Sequence, residues 1–321
     1  MDLKIGTFNL NNLFSRFNFQ ASISQLAKPN QNGGVEYLFK NENEFEIRTN
    51  EGRLVKEKPA AERATLAARI LAMELDVLAV QEVENIQVLE QFAREELGNR
   101  FPYQVLVEGN DRRLIDVGLL SRYPIGGVVS WRFARHHANP GSNVFSRDMA
   151  QVEILDAARK KRLVTIFNHH LKSHFCSFRE DPVECAKQNN TRRHQQAEAA
   201  AQIIAAQTRP DGRFVVVGDL NDGPESEFLA PMLGNPHLKM VNALQNARES
   251  QPYSGSDAPA SPVWTHRFKE SGKPARFELF DQIWVSPALA NRVSDAVIQR
   301  RKKVGGDASD HDPAFIRLIL A

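Results

Sequence analysis

Cysteine is almost missing from this chain: Cys176 and Cys185 are the only two among 321 residues. Two cysteines exclude a disulfide framework and a four-thiolate metal centre. They read as reduced thiols in a cytosolic protein, with one local disulfide as the alternative. Long apolar runs are also lacking, and none approaches the ~18 residues of a membrane span. The opening MDLKIGTFNL has no basic start followed by an apolar stretch, so no signal peptide is read. The expected location is therefore cytoplasmic, or secreted if a leader has been trimmed away. A large charge of one sign is absent too: 41 Lys and Arg against 39 Asp and Glu leave +2. That excludes a broad electrostatic grip on a polyanion, so any phosphate contact must be local. The composition that remains, 42% hydrophobic and 25% charged, is that of a globular protein able to bury a large core.

Short β-rich runs recur along the chain. LKIGTFNLNN (3–12), DVLAVQEVEN (76–85), RLVTIFNHHLKSH (162–174), RFVVVGDLND (213–222) and FDQIWVSP (280–287) each join a buried-strand core to polar residues at its edge. RDMAQVEILD (147–156) alternates as a half-exposed strand, and the basic run 159–162 that follows reads as a solvated turn. Helices are expected at 60–75 and at 85–98, the latter stopping on Gly98, and at 191–207 behind a Thr191 cap. Residues 15–59 read as an insertion and 249–262 as a loop. No repeat or linker divides the chain, so a single domain over 1–321 is expected. WRFARHH (131–137) reads equally as a solvated loop or as a basic-aromatic grip on a nucleic-acid strand.

Each polar strand end has a bland explanation when taken singly: a turn, a helix cap, an Asx turn before Pro224. Five together are harder to explain that way. Glu82, Asp219 and Asp310, with the amides of Asn9 and Asn221, are hard oxygen donors suited to magnesium, manganese or calcium. His170 and His311 can move protons near neutral pH. A divalent cation, oxygen ligands and two histidines form a kit for hydrolysing phosphate esters.

GTFNLNN, LAVQEVEN, IDVGLLSRYPI, FNHHLKSH, VVGDLNDGP, FDQIWVS and SDHDPAF stand in the order of the endonuclease/exonuclease/phosphatase superfamily, which this chain resembles from residue 3 to about 319. The resemblance implies the DNase I-like fold, a four-layered α/β sandwich of two mixed β-sheets with helices outside and the site at one edge. It implies that Glu82 is the principal magnesium ligand, with Asn9, Asn11 and Asp310 near the same metal. His311 would contact phosphate or deprotonate water, with Asp281 orienting it, and Asp219 is the rival base. Asn221 would hold the phosphate or the attacking water, and Arg147 would bind phosphate. Strand side chains alternate, so only one of the doublet faces the site; the HLKS motif of the resemblance favours His170, with His169 a packed or exposed partner. His170 would bind phosphate or act as general acid, with Lys172 a further phosphate contact.

The leading function is a divalent-cation-dependent phosphodiesterase acting on DNA or RNA, with Mg2+ or Mn2+, and Ca2+ possible. Arg192 and Arg193 are candidate contacts for a polymeric substrate. A phosphatase or a sphingomyelinase-like phospholipase of the same fold is the enzymatic alternative. A non-catalytic phosphate-ligand binding protein is the alternative from another class. No obligate protein partner is implied.

Overall fold

The computed structural model describes residues 1–15, 57–111, 113–177, 179–209 and 211–320. The expected insertion at 15–59 falls almost entirely outside the described residues. In chain order the first strands are β1 (Asp2–Leu13), β2 (Val77–Val83), β3 (Tyr103–Leu106), β4 (Asp116–Ser121) and β5 (Ile125–Ser130). A hairpin of β6 (Arg135–His136) and β7 (Asn139–Asn143) precedes β8 (Ala150–Leu155) and β9 (Arg162–His170). Next come β10 (Phe214–Asp219), β11 (Val241–Asn242) and β12 (Arg248–Glu249). A second hairpin, β13 (His266–Phe268) and β14 (Arg276–Glu278), leads to β15 (Asp281–Val285), β16 (Val293–Ile298) and β17 (Ala314–Ile319).

Two mixed sheets result, one ordered β12-β16-β17-β1-β2-β4-β3 and the other β11-β15-β10-β9-β8-β5. The long helices are α1 (Ala60–Met73), α2 (Ile86–Glu95) and α3 (Pro182–Gln207). Three apolar layers hold them together, which makes the architecture the four-layered sandwich that the resemblance implied. Leu3, Ile5, Val77 and Ala79 from one sheet meet Ile166, Val215, Val217 and Ile283 from the other in the central layer. Leu66, Ile70, Leu89 and Phe92 of α1 and α2 cover the outer face of the first sheet against Phe8 and Val80. Ala197, Ala200 and Ile204 of α3 cover the second sheet against Phe167 and Val216. Each such buried side chain contributes ~1.5–3 kcal/mol by leaving water, Ala less.

Two sequence readings need correction. Helix α3 begins at Pro182, where the Asp181 side chain accepts from the backbone N–H groups of Val183 and Glu184. A carboxylate cap followed by proline at the first turn is the stronger start signal, so Thr191 lies inside the helix. Cys176 and Cys185 are not reduced thiols: they form a disulfide with Cα atoms 6.0 Å apart. The bond ties the segment after β9 to the first turn of α3.

Candidate active site

The two-residue period of a strand brings the site together. In β1, Leu3 and Ile5 line the central layer, and the same face continues through Thr7 to Asn9. In β10, Val215 and Val217 lead to Asp219; in β9, Val164 and Ile166 lead through Asn168 to His170; in β15, Ile283 shares its face with Asp281. Six polar groups thus meet where the central hydrophobic layer ends. Gln81 Nε2 donates to Asn168 Oδ1 across the sheets at 2.8 Å and closes the apolar layer beneath the site. His169, on the opposite face of β9, is buried edge-on to Phe145. Burial alone lowers its pKa to about 3, so it is a neutral packing residue.

Backbone irregularity sets the remaining groups. Asn11, Asn12, Glu82 and Asn221 all lie in the left-handed region, with φ of 46°, 61°, 61° and 54°. Asparagine tolerates this conformation; glutamate does so at a cost of ~1–3 kcal/mol, a strain that collects at functional sites. Regular alternation would turn Glu82 away from the central layer, and its positive φ breaks that alternation. Gly218, with φ 133°, solves a different problem: a Cβ there would sit 2.0 Å from the His169 carbonyl oxygen. Only glycine lets β10 run this close to β9.

Asp219 is the hub. Its Oδ2 accepts from Asn9 Nδ2 at 2.9 Å, and its Oδ1 accepts from the Asn221 backbone N–H at 2.9 Å. His311 Nε2 stands 3.9 Å from Oδ2, and His170 Nε2 stands 3.6 Å from it. On its far side His311 Nδ1 meets Asp281 Oδ2 at 2.6 Å. Burial by itself would lower the His311 pKa. The Asp281 and Asp219 carboxylates, with the Asp281 hydrogen bond, outweigh it and raise the imidazole well above 6.5. Asp219 moves upward as well, chiefly through burial, with Asp281 adding to the effect and His311 opposing it.

His170 behaves in the opposite sense. Burial, then the charge of Arg147, hold it well below 6.5. Arg147 Nη2 lies 3.4 Å from His170 Nε2, and its Nε lies 3.6 Å from Asp111 Oδ2. Lys172 sits half-buried nearby, brought down to about 8 by burial and then by Arg147 and Arg113.

Glu82 and Asp310 stand on either side of the Asn11–Asn12 turn. The Asn12 N–H donates to Glu82 Oε2 at 3.0 Å, and Asn11 Nδ2 donates to Asp310 Oδ1 at 2.9 Å. Burial, followed by the Asp310 charge, pushes the Glu82 carboxyl up. The donor set contains oxygens and imidazoles and no thiolate, because both cysteines are oxidised. It fits a hard divalent ion. Asn9 fits such a ligand set least well, since its Oδ1 accepts the Asn11 N–H and its Nδ2 is held by Asp219. Among the described residues, two acid–imidazole groupings here have ligand atoms within 4.8 Å of one another: Asp219, Asp281 and His311, and His266, Asp310 and His311. Glu82 belongs to neither.

Some residues of the site escaped the sequence reading. His266 pairs with His311 in an isolated antiparallel bridge, stacks on Phe280 and lies 3.8 Å from Asp310 Oδ2. Asp312 is fully buried and receives Arg69, Arg300 and Arg301 at 3.0 Å each, which fixes the loop carrying Asp310 and His311. The repeated acids of SDHD and the arginine pair of QRRKK are the only sequence signals for that network. Other candidates lie elsewhere. Arg193 is buried and bonded to Asp222 at 3.0 Å, so it does not reach a polymer, and Arg192 donates to the Asn143 carbonyl. Within WRFARHH, His136 is buried against Glu198 at 2.8 Å.

The comparisons agree with this geometry. A sequence model of the Endonuclease/Exonuclease/phosphatase family matches residues 6–311, an interval that contains every site residue named above except Asp312. No curated protein matches the chain in sequence. Among solved structures, an AP endonuclease from Archaeoglobus fulgidus is similar at TM-score 0.59 and 15% identity, over 99% of this chain and 100% of that one. Sphingomyelinase C from Streptomyces griseocarneus is similar at 0.57 and 19%, over 99% and 100%. An endonuclease/exonuclease/phosphatase from Bacteroides vulgatus is similar at 0.58 and 17%, over the whole of both chains. At such identities the likeness bears on the fold alone.

Proposed function

Since the chain belongs to the endonuclease/exonuclease/phosphatase family, whose members are generally hydrolases of phosphodiester bonds, we propose that it is a divalent-cation-dependent phosphodiesterase, and specifically a nuclease acting on DNA or RNA by attack of water. One observation carries the reading. His311 is clamped by Asp281 at 2.6 Å and faces Asp219 across 3.9 Å, with Arg147 and His170 closing the other side. A phosphate diester docked against these groups would meet a base, a cationic imidazole and a guanidinium at once.

Of the two candidate bases, Asp219 suits the task better. Two carboxylates, Asp281 at 2.6 Å and Asp219 at 3.9 Å, favour the cationic form of the His311 imidazole, and an imidazolium cannot take a second proton. His311 then binds the charge that develops on the phosphoryl oxygens. Asp219, with its pKa raised and both oxygens oriented by Asn9 and Asn221, accepts the proton of the attacking water. Asn221 donates its side-chain N–H to the Leu171 carbonyl at 3.1 Å, which directs its amide oxygen at water or substrate. Arg147 binds a phosphoryl oxygen. His170, neutral and accepting from Arg147, acts as its positioning partner rather than as a general acid. Lys172 is a rim contact for phosphate.

Glu82 and Asp310, with Asn11, would hold Mg2+ or Mn2+, which when bound offsets phosphoryl charge and assists the departing oxygen. The Cys176–Cys185 bond favours an oxidising compartment over the cytosol. The test is purified protein incubated with plasmid, RNA, sphingomyelin and bis-p-nitrophenyl phosphate, each with magnesium and with EDTA. Cleavage of a nucleic acid only with the cation supports the reading. Efficient cleavage of sphingomyelin or a phosphomonoester with nucleic acids untouched replaces it with the phospholipase or phosphatase alternative.

A further inference from the structure

The segment between β3 and β4 is fastened to the site by contacts that a free surface loop would not need. Gly109 N–H donates to Asp116 Oδ1 at 2.8 Å, and a Cβ on Gly109 would meet that oxygen at 2.9 Å and the Arg147 Cα at 3.1 Å. The Asn110 N–H donates to the Ser146 carbonyl at 2.7 Å, and its side chain donates to the Phe145 carbonyl at 3.0 Å. The loop therefore lies directly against the backbone that carries Arg147. Its next residue, Asp111, faces two arginines. It accepts from Arg113 at both oxygens, 3.1 Å from Nε and 3.0 Å from Nη2, and its Oδ2 lies 3.6 Å from Arg147 Nε.

A continuous chain results: His170, Arg147, Asp111, Arg113. Its inner end is buried beside Asp219. Its outer end is not, since the Arg113 side chain is 51% exposed while Asp111 is 11% exposed. Asp111 stands between the two guanidiniums, the Glu82 charge acts on both, and Lys172 adds a third cation at the same side of the cleft. The depressed Lys172 pKa, lowered by burial and then by Arg147 and Arg113, agrees with cations gathered on one side of the cleft.

Resting on the phosphodiesterase reading above, we propose that Arg113, held by Asp111 in line with Arg147, forms a second phosphate subsite that takes the phosphodiester adjoining the scissile one. The spacing of charge along a polynucleotide supplies such a second anion; a phospholipid with one phosphate does not. Asp111 is the positioning residue for both arginines, and a bidentate guanidinium pair fixes direction as well as charge.

The experiment uses trithymidylate whose second linkage is either the natural diester or a neutral methylphosphonate, with cleavage rates read at the first linkage. The full chain with magnesium is expected to favour the diester form in kcat/KM by roughly three- to tenfold, the range between an exposed ion pair and a charge-assisted hydrogen bond. Arg113→Ala and Arg113→Gln should bring that ratio to about one, and Arg113→Lys should restore part of it. Asp111→Asn should lower the rate on both substrates, because Arg147 loses its support. Brisk cleavage with a ratio near one in the unaltered protein overturns the subsite and leaves the proposed function standing. Cleavage of neither substrate, with bis-p-nitrophenyl phosphate still hydrolysed, overturns the polynucleotide reading and the subsite with it.

Discussion

Asp281→Asn tests the proposed division of labour between His311 and Asp219. Asp281 is fully buried, and its Oδ2 is 2.6 Å from His311 Nδ1. Asparagine keeps the shape and removes the charge. A hydrogen bond to a charged group is worth ~1.5–3 kcal/mol, or roughly 10- to 160-fold in rate at ~1.36 kcal/mol per decade. The pH profile is more telling than the magnitude. If His311 works as the cation, activity falls as pH rises through its raised pKa. The substitution then moves that alkaline limb to lower pH, because the carboxylate that raised the pKa is gone. If His311 were the base, the acid limb would move instead. The assay is kcat against pH on bis-p-nitrophenyl phosphate at saturating magnesium, with the magnesium affinity titrated separately. An acid limb that shifts while the alkaline limb stays in place refutes the reasoning.

Other outcomes follow from the same geometry. His311→Ala should cost at least as much as Asp281→Asn, and the double variant little more, as for residues acting as one unit; multiplicative losses in a kinetic cycle would contradict the pairing. His169, with its pKa lowered to about 3, binds no proton in the folded state where the unfolded chain does, so stability should fall as pH drops below about 6.5. At pH 5 the loss from this residue is about 2 kcal/mol, and His169→Phe should remove that part of the pH dependence in urea titrations. Asp312→Asn leaves Arg69, Arg300 and Arg301 without their shared carboxylate and should destabilise by about 3–5 kcal/mol, read as a lower denaturation midpoint. Reducing the Cys176–Cys185 bond, or Cys185→Ser, should cost roughly 2–3 kcal/mol by freeing a short loop of the unfolded chain, seen as a lower Tm.

Much of the site was legible in sequence because strand periodicity is a rigid rule. Once VVVGD is a strand with Val215 and Val217 inside, Asp219 must be inside too, and the same rule separates His170 from His169. The rule fails where the backbone leaves the strand. Nothing in LAVQEV states that Glu82 adopts a positive φ, or that Asn11 and Asn12 turn toward it. Long-range charge pairing is equally silent: of the three arginines on Asp312, Arg69 lies 243 residues away in sequence. His266 and the Asp111–Arg113 pair were missed because each sits in a turn or short hairpin with no period to read. The disulfide stayed the lesser alternative in sequence because a nine-residue spacing is compatible with either redox state until the fold brings the two Cα atoms to 6.0 Å.

The most direct test of the central claim is a metal titration of phosphodiester cleavage by the unaltered protein and by Glu82→Gln. Both are freed of metal with EDTA and then given increasing magnesium or manganese, with a short labelled DNA or RNA as substrate. The account predicts no cleavage without the cation, recovery on its addition, and a Glu82→Gln protein that stays folded by circular dichroism but remains inactive at concentrations that saturate the unaltered chain. Full cleavage in EDTA, or a Glu82→Gln protein with an unchanged metal requirement and rate, would contradict it.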